Sequence, residues 1–184
     1  RYNGMPCVAH VSSPDLVHLS HHEAHFMSEA YTRDNDGFVE FEVPEHFEFD
    51  GIHYITFSSI RSRKNLTSGR EDAAGTWYLM ADRKEGPYRV PKNPLLMGTG
   101  MGRIDHYVGR TITNKGKRLM YCQNWGSFTG CNWSTPKLIQ TEKNHELYLS
   151  YWPELDVLKK GRIFATNSLS VKSDADKRYK IHDL

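Results

Sequence analysis

Phe47-Glu48-Phe49-Asp50-Gly51-Ile52-His53-Tyr54-Ile55-Thr56-Phe57 is the stretch that decides the fold. Two aromatic and β-branched runs flank Asp50-Gly51, a dipeptide that tolerates positive φ at both positions, so the segment predicts a tight β-hairpin. A second hairpin is predicted from Tyr107–Thr113 and Lys117–Gln123, on either side of Asn114-Lys115-Gly116. Thr76–Ala81 reads as a strand stopped by the turn-rich Asp82-Arg-Lys-Glu-Gly-Pro87. Met5–Val11, Phe38–Phe41 and Leu147–Ser150 read as further strands, and Ser12-Ser-Pro-Asp15 as a turn. Only Pro153–Lys160 has a helical look. Strands recurring about every ten residues, with turn chemistry between them, predict an all-β sandwich, barrel or propeller.

Composition narrows the function. Hydrophobic residues make up 38% of the 184, enough for one domain with a core, and mean hydropathy is −0.65. No apolar run approaches the roughly 18 residues of a membrane-spanning helix, so no membrane partner is expected. The 24 basic and 22 acidic residues leave a net charge of +2, and the basic ones are scattered apart from Arg61–Lys64 and Asp176–Lys180. No basic stripe is interleaved with stacking aromatics, so nucleic acid is not an expected partner. Cys7, Cys122 and Cys131 contain no CxxC, which leaves either one disulfide between Cys122 and Cys131 or three buried thiols. Asn65-Leu-Thr67 and Asn132-Trp-Ser134 match glycosylation sequons without fixing the compartment.

Glu42 is the candidate catalytic residue. It lies in Gly37-Phe-Val-Glu-Phe-Glu-Val-Pro44, where a carboxylate ends an aromatic-rich strand beside a rigid X-Pro step. Such a join can hold a proton donor at the mouth of a pocket, one half of what glycosidic cleavage needs. Strict alternation puts Glu40 and Glu42 on one face, with Phe41 and Val43 on the other. The bland alternative is a charged, solvated strand edge.

Other constellations are weaker. His18, His21, His22 and His25 miss the HExxH spacing, so neither a metal nor any other cofactor is expected. Gly98-Thr-Gly-Met-Gly102 has no helix after it to cradle a phosphate and reads as a loop between strands. In Arg103–Arg110, alternation places Asp105, Tyr107 and Gly109 on one face. Asp105 could bind sugar hydroxyls, while Tyr107, Trp125 and Trp133 could stack on sugar rings.

In order along the chain, these residues resemble glycoside hydrolase family 32, the β-fructosidases and invertases. Ser13-Pro-Asp-Leu-Val-His-Leu19 is similar to the family's S-x-D-L-V-H-W segment, and Glu42-Val-Pro44 to its Glu-Cys-Pro motif. Asp105-His-Tyr-Val-Gly-Arg-Thr111, followed by Lys117–Tyr121 and Trp125, resembles D-x-Y-A-x-R-T and the tryptophan segment after it. Tyr151–Leu158 looks like the stretch leaving the family's propeller. The resemblance spans residues 8–160. It implies a five-bladed β-propeller and retaining hydrolysis of fructosides such as sucrose, inulin or levan, with Glu42 as acid/base. Asp105, Tyr107 and Trp125 would then contact the carbohydrate substrate.

The family's nucleophile lies in Asn-Asp-Pro and a further Asp in Arg-Asp-Pro, and neither motif occurs here; Arg33-Asp34-Asn35 is nearest. Residues 1–164 are therefore expected to be a partial propeller. Residues 165–184 would be a tail or the start of a β-sandwich. Another chain supplying the missing blades is one expected partner. Two alternatives stand beside this reading: an arabinan- or xylan-directed propeller of family 43, and a propeller that binds carbohydrate without cleaving it.

Overall fold

A computed structural model describes residues 7–8, 10–22, 41–59, 74–99, 106–127 and 130–159. The all-β expectation is met, with every strand pairing antiparallel to its neighbours. β1 (His10–Ser12) and β2 (Ser20–His22) make a small ribbon. β3 (Glu42–Phe49), β4 (Ile52–Ser59), β5 (Ala74–Ala81) and β6 (Leu95–Thr99) follow as a meander in sequence order. A second sheet contains β7 (His106–Asn114), β8 (Lys117–Ser127), β9 (Gly130–Trp133), β10 (Lys137–Thr141) and β11 (Leu147–Ser150). β9 and β10 occupy one position, pairing with opposite ends of β8. Across the interruption Ser134 N–H reaches Cys122 O at 2.8 Å, and Cys122 N–H reaches Ser134 Oγ at 3.0 Å. The second sheet is thus another four-position meander, so two blade-like units stand in series.

Both predicted hairpins form, and their turns show why. Asp50 and Gly51 have φ of 53° and 74°, and Lys115 and Gly116 have 48° and 76°. Positive φ at both central positions matches the right-handed twist of the flanking strands. The first turn brings Phe49 opposite Ile52, and the second brings Asn114 opposite Lys117.

Alternation then builds two cores. Ile55, Phe57, Trp77, Leu79 and Ala81 bury on one face of the first sheet with Tyr88. On its other face Phe47, Tyr54, Tyr78 and Met80 meet Met120, Ile139 and Leu147 of the second sheet. All eight residues of β5 are buried, since it carries both cores. Burial of each large side chain such as Trp77, Phe57 or Tyr78 contributes about 1.5–3 kcal/mol. Polar links cross the same seam: Tyr54 Oη donates to His145 O at 2.7 Å, and Leu147 N–H donates to Tyr78 Oη at 2.9 Å.

Several local expectations are corrected. Residues 7 and 8 are not in a strand, and β1 begins only at His10. Phe41 precedes the strand; Glu42 opens β3 instead of ending one, and the strand runs on through Pro44. Proline is accepted there because β3 is an edge strand and Pro44 sits in a bulge, outside the regular ladder. Gly98 belongs to β6, where it faces Gly75. A Cβ on Gly98 would lie 3.1 Å from Gly75 Cα, so the pair allows β5 and β6 a close approach. Pro153–Leu158 is a 3-10 turn without a buried residue, tied to β8 by Lys117 and Glu154 at 3.0 Å. Among the described residues no helix is long and apolar enough to cross a membrane. Residues 165–184, Phe38–Glu40 and Gly100–Asp105 lie outside the described set.

Candidate active site

Two bulges build the site, one on the first strand of each sheet. In β3, Glu42 pairs with Ser58 and Glu45 with Thr56, so Val43 and Pro44 together face the single residue Phe57. In β7, Tyr107 pairs with Gln123 and Arg110 with Tyr121, so Val108 and Gly109 face Cys122. Val43 has φ 45° and Val108 has φ 54°. A β-branched residue in that region is strained, at a cost of order 1–3 kcal/mol. Each strained valine directly follows a residue of the site. Bulges re-aim the side chains beside them, and these two aim Glu42 and Tyr107 at each other.

The Tyr107 hydroxyl donates a short hydrogen bond to Glu42 Oε2. Glu42 is half-buried, and Tyr107 is only 7% exposed. The simple alternation read for Arg103–Arg110 fails at the β7 bulge, because the extra residue shifts the strand by one. Tyr107 and Arg110 are three apart in sequence but two rungs apart on β8, which returns them to one face. Arg110 Nη1 there reaches Pro44 O at 3.3 Å. Glu42 and Glu45 are brought to a common face of β3 in the same way.

Below this pair the seam is polar. Thr111 donates to Glu45 through both N–H, at 2.9 Å, and Oγ1, at 2.7 Å. Arg118 Nη1 reaches Thr111 Oγ1 at 2.6 Å, and its guanidinium lies 4.3 Å above the Phe47 ring. Burial lowers the Arg118 pKa, partly opposed by Glu45. Gly109 N–H donates to the buried Thr76 Oγ1 at 2.8 Å. Glu45 and Thr76 were not singled out by sequence, and Gly109 and Thr111 entered only as neighbours of Tyr107 in its segment. Gly109, inside an otherwise regular strand, carried the one signal available, since an isolated strand glycine marks a bulge or close approach.

The remaining candidates divide. Asp105 lies outside the described residues, and Trp125 is on β8 with its side chain outside them. Trp133 is 65% exposed, edge-on to Tyr121. It borders a cleft of about 850 Å³ with His106, Asn124, Lys137 and Tyr151.

In the β1–β2 ribbon, Asp15 accepts the N–H groups of Val17 and His18, at 2.9 and 2.8 Å, and bonds the His18 ring at 2.6 Å. These bonds, led by the His18 backbone, hold the Asp15 carboxyl well below the usual range. His22 stacks on His10 and bonds Ser12 Oγ at 2.7 Å. His25 lies outside the described residues. Among the described residues no three His, Cys, Asp or Glu side chains converge as metal ligands. The Cys131 side chain lies outside the described residues, and with it the choice between a Cys122–Cys131 disulfide and separate thiols.

No family model and no curated protein matches the chain. Among solved structures it is similar to an exo-1,5-alpha-L-arabinanase from a bovine ruminal metagenomic library, at 12% identity and a TM-score of 0.40. That likeness covers 59% of this chain and spans 37% of the arabinanase.

Proposed function

We propose that this chain is the acid/base-bearing part of a five-bladed β-propeller glycoside hydrolase acting on chains of five-membered-ring sugars. The supporting observation is the Tyr107–Glu42 hydrogen bond between adjacent blade-like sheets. With Oε2 held by the phenol, Oε1 is the oxygen that would carry the proton. Glu42 then protonates the departing glycosidic oxygen as the bond breaks. In a retaining reaction it later takes a proton from the water that releases the sugar. The second carboxylate, which has no marked candidate in this sequence, is proposed to come from upstream blades, on the same polypeptide or on another chain.

Two substrate classes fall within this reading. The order of Ser13–Leu19, Glu42–Pro44 and Asp105–Thr111 supports fructan-type sugars. Val43, standing where the fructosidases have cysteine, leaves an acid shortly before a proline. Arabinan-directed propellers share that feature, so arabinan falls within the same reading.

Titration of the 184-residue chain with inulin-type and arabinan-type oligosaccharides, followed by NMR, separates them. One series should shift the Glu42 and Tyr107 resonances and the other should not. A longer protein carrying the upstream blades should hydrolyse the same series and lose that activity on Glu42→Gln. Binding without hydrolysis would make it a carbohydrate-binding propeller, and binding of neither series would overturn the proposal.

A further inference from the structure

We propose that Thr76 is a positioning residue: its buried hydroxyl anchors the β7 bulge that aims Tyr107 at Glu42. The inference rests on the reading of Glu42 and Tyr107 given above.

The ladder places Thr76 where it can act on both members of the pair. Glu42 on β3 pairs with Ser58 on β4, and Ser58 pairs with Thr76 on β5. One rung of the first sheet therefore runs from Glu42 to Thr76. Thr76 Oγ1 then accepts the Gly109 N–H at 2.8 Å, and Gly109 stands two residues after Tyr107 in the β7 bulge. The Tyr107 phenol closes the circuit on Glu42. Ser58 Oγ lies 3.4 Å from Thr76 Oγ1, within hydrogen-bonding reach.

The rung is polar inside a buried sheet. Ser58 and Thr76 are fully buried, next to a rung filled by Phe57 and Trp77. A valine has nearly the shape of threonine and would suit such a strand, so the hydroxyl needs a reason. The bulge supplies it: Gly109 turns its N–H to Thr76, and without an acceptor that buried donor would be orphaned. The fit is close on the other side as well. A Cβ on Gly109 would lie 2.7 Å from Thr76 Oγ1 and 2.9 Å from its Cγ2. Thr76 and Gly109 thus specify each other, and between Gly109 and Tyr107 stands only the strained Val108.

The test reads the Tyr107 hydroxyl proton of the 184-residue chain by NMR, assigned through its loss in Tyr107→Phe. A phenol hydrogen-bonded to a carboxylate and largely shielded from water gives a downfield, slowly exchanging proton. In the wild type this proton should be visible, and Glu42→Gln should shift it. Thr76→Val should speed its exchange about tenfold or erase it, while Thr76→Ser, which keeps the hydroxyl, should restore it. Should Thr76→Val leave the proton unchanged while Glu42→Gln moves it, the positioning role is overturned and the Glu42–Tyr107 pair stands. A wild-type proton that is absent, or indifferent to Glu42→Gln, overturns the pair and the positioning role together. Exchange of the Gly109 amide in the wild type needs no variant. Protection like that of the core amides supports the anchor, and exchange at the rate of an exposed amide refutes it.

Discussion

Thr111 holds the Glu45 carboxylate with two groups at once, its N–H on Oε2 and its hydroxyl on Oε1. The grip lies beside the Glu42–Tyr107 bond and joins the same two strands, β3 and β7. A two-point contact resists sliding in a way one hydrogen bond cannot, so it fixes the register between the sheets. The Glu42–Tyr107 pair is therefore set on a clamped seam.

Removal of the clamp should loosen the seam. Glu45→Ala leaves the Thr111 N–H and hydroxyl without their acceptor in a part-buried setting and should cost about 1–3 kcal/mol. Glu45→Gln keeps one acceptor oxygen and should cost less. Urea denaturation of the two variants beside the wild type measures this, and equal midpoints for all three would refute it.

Glu146 makes a second tie, from the β10–β11 connection to the segment before β6. It is 7% exposed and accepts Lys92 N–H at 2.9 Å and Asn93 Nδ2 at 2.8 Å. Glu146→Ala should lower stability by about 1–3 kcal/mol. Adding Asn93→Ala to it should cost less than the two single changes summed, because the partners share one bond. Thermal melts of the four proteins form the cycle.

Gly109→Ala should be poorly tolerated, because its methyl would enter the space of the buried Thr76 side chain. Overpacking of this kind costs about 1–3 kcal/mol. Thr76→Ala made together with it removes the two closest atoms and leaves a Cβ at 3.1 Å, so the double variant should be more stable than the sum of the single losses. Additive losses in chemical denaturation would count against the contact.

Alkaline pH should weaken the fold through two buried tyrosines. Burial first, and Asp50 second, push Tyr54 up to about 12, and burial with Glu85 does the same for Tyr88. The unfolded value is about 10. Both groups are protonated in the folded chain, so their contribution is fully present below pH 10. It is lost as pH rises from 10 towards 12. The denaturation midpoint should fall across that window, and less steeply in Tyr54→Phe, which has no proton to lose there.

In a longer protein with the upstream blades, Glu42→Gln should slow cleavage of natural sugars about 10²–10⁴-fold. Substrates with good leaving groups need no protonation and should suffer less in the first step. A retaining enzyme would then accumulate a covalent intermediate, since the base of the second step is also gone. Kinetics on paired poor and good leaving groups measure this, and equal losses on both would mark Glu42 as structural.

The sequence alone determined what is local. Asp50-Gly51 set its hairpin because aspartate and glycine both accept positive φ, and Gly116 did the same for the second, with Lys115 carried into positive φ by the turn. The run Thr76–Ala81 declared a strand through its own β-branched and aromatic content. Glu42 and Tyr107 could each be singled out, but not joined, since they are 65 residues apart. Tertiary structure decided that bond. It did so through two bulges, each carrying a valine at positive φ against its own preference, which only the surrounding seam of Glu45, Thr111, Thr76 and Gly109 can hold in place. Strand β6 and the β9–β10 pair were hidden for a related reason. The Gly98 of β6 reads as loop by composition, and only its pairing with β5 makes it sheet, as pairing with β8 does for β9 and β10.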